Sequence, residues 1–512
     1  MIKKIAGYWF SGLIIFLIIS GALVLRLSNL NSLPIFVDEA IYVRWAQVMR
    51  AESTLRFLPL SDGKQPLFMW TVIPFLKIFS DPLIAGRFTS VLTGMGIIFG
   101  AGVLTYLLFK SRKASFLAMF LSAISPYSVF FDRMALVDSM LAMFGIWSLI
   151  LAILTVRLLR LDVAMFMGFS LGGALLTKSP ALFFQLLLPT SIIATSWPKT
   201  LKSKVIKLLK ITGLFTISYG ISQIMFNILR LGSNFHLLTS RNYDYVYPVS
   251  HIFENFLDPL VPHLKDVFNW IRYYGPWPLF IFILLALVIG IKKYKKETLL
   301  LFIFILVPTF AQCFYAKVFT ARYLYFVIPY LFVLSSLVVL IKSKILKKGM
   351  FLVLLLYSFV ALRQDIFLIT NPEKMNLPRG ERTGYLEEWT AGQGIPEAAI
   401  YIRNEYNKDS SKKIVVGTDG YFGTLPDGLQ IYLNDLLAIT VVGVEVRFFD
   451  VPKPLVESAK VGNKTYLLVN SSRFFIDDPE EEGLHLISSY PRAIKPDGTN
   501  ESLLFFEVSS VR

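Results

Sequence analysis

Two adjacent carboxylates, Asp38 and Glu39, open the stretch Val37-Asp38-Glu39-Ala40-Ile41-Tyr42-Val43-Arg44-Trp45-Ala46-Gln47. Pro34 ends whatever precedes it, and Asp38 has the side chain of a helix N-cap. Beyond it Ile41, Trp45 and Val48 recur at i, i+4 and i+7, one apolar face of a short helix. A Trp and a Tyr on such a helix suit a membrane–water interface. A carboxylate there is able to take a proton from a hydroxyl in a group-transfer reaction. The alternative is structural: Asp38 caps the helix, and Glu39 complements its dipole. Glu39 either orients an acceptor or faces water.

Further ionisable residues belong with this pair. Asp132, Arg133 and Asp138 lie between two apolar runs, and Lys178 sits beside Pro180 in a broken apolar hairpin. Lys64, Arg87 and Arg322 flank other apolar runs. Charges at membrane depth are costly and usually face a cavity. Cations beside a carboxylate suit transfer from an anionic donor, where they hold a departing phosphate. Each has a plainer reading. Lys64 could snorkel at the interface, Asp132, Arg133 and Asp138 could pair to hold helix ends, Lys178 could mark a loop, and Arg322 could anchor its span. The tyrosines of 243–247 suit an interfacial belt or a sugar-stacking platform.

The elements that must position these residues are membrane helices. The chain has 512 residues, 55% of them hydrophobic, above the about 45–50% of soluble domains. Its mean hydropathy is +0.59. Eleven candidate spans lie near 8–27, 84–109, 114–131, 138–156, 163–177, 180–196, 211–229, 277–291, 298–315, 323–341 and 349–368. The pair 163–177 and 180–196 is short and could be re-entrant. The charged start Met1-Ile2-Lys3-Lys4 precedes an apolar run too long for a cleaved leader, so the first helix is expected to be retained.

Every second loop is basic. Lys3 and Lys4, Lys110 to Lys113, Arg157 and Arg160, Lys199 to Lys210, Lys292 to Lys296 and Lys342 to Lys348 hold 20 basic residues, opposed by Asp162 and Glu297. These loops are expected to be cytoplasmic. The N-terminus is then inside and the C-terminus outside a plasma (cytoplasmic) membrane. The net charge of +16 is concentrated in them, which argues for membrane lipid and against nucleic acid as the partner. One cysteine, Cys313, rules out a disulfide framework, and His236, His251, His263 and His485 lack ligand spacing.

From Asn371-Pro372 onward the pattern is that of a soluble domain. Ile414–Gly417, Thr465–Val469 and Leu503–Val508 read as strands, 395–407 and 427–437 as helices. The fold class expected is a polytopic α-helical membrane protein of about 11 spans, residues 1–370, with an extracytoplasmic α/β domain, residues 371–512. No GxGxxG or Walker loop occurs, so nucleotide binding is unsupported.

The chain resembles the GT-C membrane glycosyltransferases, specifically the group holding protein O-mannosyltransferases and the aminoarabinose transferase of lipid A. The resemblance rests on Asp38-Glu39-Ala40-Ile41-Tyr42 after the first span and Lys64-Gln65-Pro66-Leu67-Phe68-Met69-Trp70. It also rests on Arg87, on Asp132-Arg133 through Asp138, on Gly173 to Pro180 with Lys178, and on Arg322-Tyr323. The match runs over about residues 1–340. It implies a polyprenyl-phosphate-linked sugar as donor, a protein or lipid-linked hydroxyl as acceptor, an outer-face active site and Asp38 at the catalytic acidic position. Two features depart from the group. Gly63-Lys64-Gln65-Pro66 stands where the lipid A enzymes carry Glu-Lys-Pro-Pro, with Asp62 adjacent, and a terminal α/β domain replaces the luminal β-trefoil of the mannosyltransferases. No Asp-x-Asp lies in the outer loops, so activity without metal or other cofactor is expected. The competing classes are a transporter or flippase of a lipid-linked glycan, which also needs polar groups in a many-helix bundle, and a non-catalytic scaffold.

Overall fold

The computed structural model describes residues 2–509, with side chains from Trp9 onward. The side chains of Lys3 and Lys4, counted above among the cytoplasmic bases, lie outside the described residues. The chain clusters into two compact units. The first runs up to Ser28 and includes Thr54–Trp70 and Phe88–Ile369. The second takes in Asn29–Ser53, Thr71–Arg87 and the residues from Thr370 onward.

The first unit is helical because its sequence is apolar over lengths that match a bilayer, where every backbone polar group must be satisfied internally. Among the described residues seven helices are long and apolar enough to cross a membrane, or nine if each bent pair is one span. The expected eleven are not all crossings by that test. Leu161–Thr177 and Ala181–Ala194, the pair foreseen as re-entrant, are too short. The expected spans near 114–131 and 277–291 fall in the bent pairs Arg112–Ile124 with Pro126–Asp132 and Leu260–Tyr274 with Pro278–Lys293. Proline opens the second helix of the first pair and of the second. Hydroxyls join the helices inside the bundle: Ser218 donates to the Ala164 carbonyl at 2.6 Å, and Ser148 to Ser170 at 2.9 Å. An aromatic cluster of Tyr127, Phe131, Tyr274 and Tyr325 fills the space beside Pro126–Asp132, with ring centroids 5.2–5.9 Å apart.

The second unit is built on a five-stranded sheet, order β2-β1-β3-β5-β4. Its strands are β1 (Ile414–Asp419), β2 (Ile439–Glu445), β3 (Lys464–Asn470), β4 (Leu484–Pro491) and β5 (Ser502–Val508). β2, β1 and β3 are parallel; β5 and β4 run antiparallel to β3. One face buries Leu467, Val469, Phe506 and Val508 under Leu455 of the Lys453–Lys460 helix. The three expected strands coincide with β1, β3 and β5. The expected helix 395–407 is Ile395–Lys408, while 427–437 stops at Leu433.

The helix that opens the site, α2 (Val37–Ala51), belongs to this second unit. The Val37 amide donates to the Thr390 carbonyl at 3.0 Å, and Gly392 to Ile35 at 2.8 Å. Gln47 donates to the Ile431 carbonyl at 2.9 Å. Tyr42 and Trp45 are therefore buried rather than presented to a membrane surface. α2 is packed by protein on most of its faces, so its aromatic residues serve a core.

Candidate functional site

The N-cap of α2 is Phe36, and Asp38 is the second residue of the helix, so Asp38 is not the cap that its side chain suggested. Glu39 does the capping: its Oε2 accepts the Phe36 amide at 3.0 Å. Both Glu39 oxygens also receive Arg87, from Nε at 2.8 Å and from a terminal nitrogen at 2.7 Å. Neither side chain has measurable exposure, so Glu39 does not face water. Arg87 spends its remaining donors on the carbonyls of Leu30 and Leu33, at 2.8 and 3.0 Å, and of Pro34 at 3.1 Å. This bidentate pair binds the 30–36 turn to the start of α2. Asp38, 9% exposed, projects from the same first turn. Anionic side chains are stabilised there by the helix dipole.

The remaining candidates lie in the first unit and fall into two groups. Asp132 and Arg133 are both held by their own chain. Asp132 accepts Arg26 Nε at 2.9 Å, Ser139 at 2.6 Å and Tyr325 at 2.7 Å. It packs so closely on Gly94 that a Cβ there would stand 2.3 Å from its carboxylate. Arg133 donates to the Leu25, Arg26 and Ser28 carbonyls at 2.8–3.1 Å, closing the C-terminal end of α1 (Ile2–Leu27). Both are buried, and together with Arg26 they tie α1 to Pro126–Asp132. Asp132 is in an ion pair, with Arg26, whereas Arg133 holds the helix end through main-chain carbonyls. The partner of Asp132, Arg26, is a residue that nothing in the local pattern singled out.

Asp138, Lys178 and Arg322 form the second group. Lys178 Nζ donates to Asp138 Oδ1 at 2.6 Å and lies 4.2 Å from the centre of the Tyr323 ring. The Arg322 guanidinium stands 5.2 Å from that ring centre. Lys178 and Arg322 are half-buried, whereas Asp138 is buried. Lys64 joins them through its neighbour: Gln65 donates to the Ser179 hydroxyl at 2.9 Å. Lys64 pairs with Asp62 at 3.1 Å, both half-buried.

Asp62 also binds Arg241, a residue the sequence reading passed over in favour of the tyrosines that follow it. The carboxylate holds the Arg241 guanidinium above its usual range. Gly63 is required between them. Its φ is +64°, and a Cβ would fall 2.7 Å from Arg241 Cβ. Arg241 is delivered by backbone pairing of the loop that follows, since Tyr247 donates to Tyr315 at 2.6 Å and Lys317 to Tyr245 at 2.8 Å. Tyr247 itself stacks on His251 with ring centres 4.1 Å apart.

The loops around 62–65, 178–179, 241–247 and 315–323 therefore assemble Lys64, Lys178, Arg241 and Arg322 against three carboxylates, Asp62, Asp138 and Asp244. An excess of cations partly shielded from water is suited to a phosphate. Among the described residues no three His, Cys, Asp or Glu side chains come together in a way that could grip a metal ion.

Residues 59–230 match the family described as dolichyl-phosphate-mannose-protein mannosyltransferase. No curated protein matches the sequence. Among solved structures, ArnT from Cupriavidus metallidurans in the apo state is similar with a TM-score of 0.60 and 12% identity, covering 99% of this chain and 99% of that one. The same protein bound to undecaprenyl phosphate gives 0.59 and 13%, covering 96% and 97%. The archaeal oligosaccharyltransferase AglB from Archaeoglobus fulgidus, in complex with an inhibitory peptide and a dolichol-phosphate, gives 0.49 and 12%, covering 98% and 74%. The mannosyltransferase match over 59–230 thus lies in a helical fold that, with its small sheet domain, is similar over its whole length to that of ArnT.

Proposed function

We propose that the protein transfers a sugar from a polyprenyl-phosphate-linked donor to a hydroxyl on a protein or glycolipid acceptor, with inversion, at the outer face of the membrane. The observation that carries this reading is the cation group of the first unit. Lys178 and Arg322 meet around Tyr323, and the Gln65–Ser179 bond joins Lys64 to them. The ArnT relative solved with undecaprenyl phosphate supports that kind of carrier. Lys64, Lys178 and Arg322 compensate the charge of the departing phosphate. Asp38 takes the proton of the acceptor hydroxyl as its oxygen attacks the anomeric carbon. The carbon–oxygen bond to the phosphate breaks, and polyprenyl phosphate leaves. Glu39, Arg87, Asp132 and Arg133 act as positioning residues, because each is hydrogen-bonded to a helix end. Asp138 holds Lys178. The basic bias of alternate loops supports a cytoplasmic N-terminus and an extracytoplasmic region after residue 371.

The test is Asp38→Asn in purified protein, assayed for transfer from a synthetic polyprenyl-phosphate sugar. Turnover falls by about 10²–10⁴, the usual cost of losing a general base, while thermal unfolding is unchanged. Wild-type turnover in this variant overturns the assignment of Asp38.

A further inference from the structure

The second unit contains a cleft of about 920 Å³ that none of the candidate site residues lines. Three distant stretches build it: the last turns of α2, the 76–82 segment that leads into the Pro82–Phe109 helix, and residues 396–435. Its volume is at the upper end of the range for small-molecule sites.

The lining specifies the ligand's chemistry. Arg50 and Arg403 contribute positive charge, Asp81 and Asp435 negative charge. Each is already engaged. Arg403 makes a bidentate pair with Asp435 at 2.7 Å through both nitrogens. Arg50 donates to the Leu76 carbonyl at 2.9 Å. Asp81 accepts Asn31 at 2.7 Å and the Leu83 amide at 2.8 Å. A charged ligand meets a wall of zero net charge in which Arg403 and Asp435 neutralise each other and Arg50 and Asp81 are already hydrogen-bonded to neutral groups, so the site favours a neutral ligand. Between these polar groups stand Phe79 and the exposed Ile400. Planar hydrogen-bonding groups alternating with apolar faces match a sugar ring, which has hydroxyls at its edge and C–H groups on its faces. A lipid tail would leave the polar wall unmatched. An extended peptide would seek a sheet edge, and the cleft is lined by helices and turns.

We propose that this cleft binds the neutral glycan portion of the acceptor, at a distance from the hydroxyl that reacts. The proposal rests on the reading of the chain as a transferase with a hydroxyl acceptor, and narrows that acceptor to one bearing a glycan. α2 carries Asp38 in its first turn and Arg50 in its last, about 18 Å apart at 1.5 Å per residue. The cleft therefore acts on acceptor affinity and not on the chemical step.

Binding is measured without donor, on the full chain in detergent, by saturation-transfer NMR with short linear glucan, mannan and galactan oligosaccharides. At least one binds the wild type, and Ser80→Trp, which adds a bulky ring to the cleft lining, weakens it at least ten-fold. Arg50→Ala, a change at an exposed residue that should not affect folding, weakens it in the same direction. Asp38→Asn binds as the wild type does, so loss of turnover with binding intact bears on Asp38 alone and leaves the cleft assignment standing. Failure of all three oligosaccharide classes overturns the proposal, as does binding that persists in both cleft variants. Capture of phosphatidylglycerol vesicles or of a Ser/Thr-rich peptide, lost in Ser80→Trp while no oligosaccharide binds, also overturns it.

Discussion

Replacing Glu39 by Gln separates a positioning role from a catalytic one. The carboxylate accepts three hydrogen bonds, two from Arg87 at 2.7 and 2.8 Å and one from the Phe36 amide at 3.0 Å. Both members of the ion pair have no exposed side-chain surface. Gln is nearly isosteric but turns an NH₂ toward a guanidinium and leaves the Arg87 charge uncompensated in the interior. Removing one partner of a buried pair costs about 3–5 kcal/mol. At about 1.4 kcal/mol per decade, that lowers the folded-to-unfolded ratio by roughly 10² to 10⁴. A total stability of about 5–15 kcal/mol is typical of a domain, so the loss is a large share. The assay is unfolding of the full chain in mixed micelles, alongside turnover per folded molecule. Glu39→Gln is expected to unfold much earlier, and the double variant Glu39→Met with Arg87→Met to recover part of the loss, because both charges leave together. A Glu39→Gln protein of wild-type stability that had lost turnover would refute the reasoning and make Glu39 a catalytic carboxylate.

Three further expectations follow from the same geometry. Lys64→Ala and Arg322→Ala should raise the donor KM while leaving acceptor dependence near wild type, since both are assigned to the donor phosphate; steady-state kinetics with unchanged donor dependence would remove them from that role. Activity should survive excess EDTA, and complete loss with recovery on adding Mg²⁺ or Mn²⁺ would make the carboxylates ion ligands. Leu437 is 97% exposed and the lone Cys313 is buried, so Leu437→Cys should react with a membrane-impermeant thiol reagent in intact cells. Labelling only after lysis would reverse the orientation.

Local signals were enough for much of this protein. Each expected span overlies an apolar helix or part of a bent helix pair, because burial in a bilayer demands a long apolar run that any window reveals. β1, β3 and β5 were legible for a related reason: they are the inner strands of the sheet, and their residues are largely buried. β2 and β4 passed unseen because they are its two edges. Half-exposed strands such as Leu484–Pro491 carry polar residues that dilute the pattern. The candidate residues were likewise found by type, since a charge next to an apolar run is conspicuous wherever it falls.

What each charge does was decided by tertiary structure. Glu39 and Arg87 lie 48 positions apart, and Arg26 and Asp132 lie 106 apart. No periodicity links such pairs, because a buried ion pair is specified by where helix ends meet. Asp38 and Glu39 are neighbours in sequence and look interchangeable there. Successive residues of a helix point in directions about 100° apart at 3.6 residues per turn. That rotation turns Glu39 inward to Arg87 and the Phe36 amide, and sends Asp38 elsewhere from the same turn. Arg241 gained its place beside Lys64 through a loop pairing and a left-handed Gly63 that single-residue reading does not reveal.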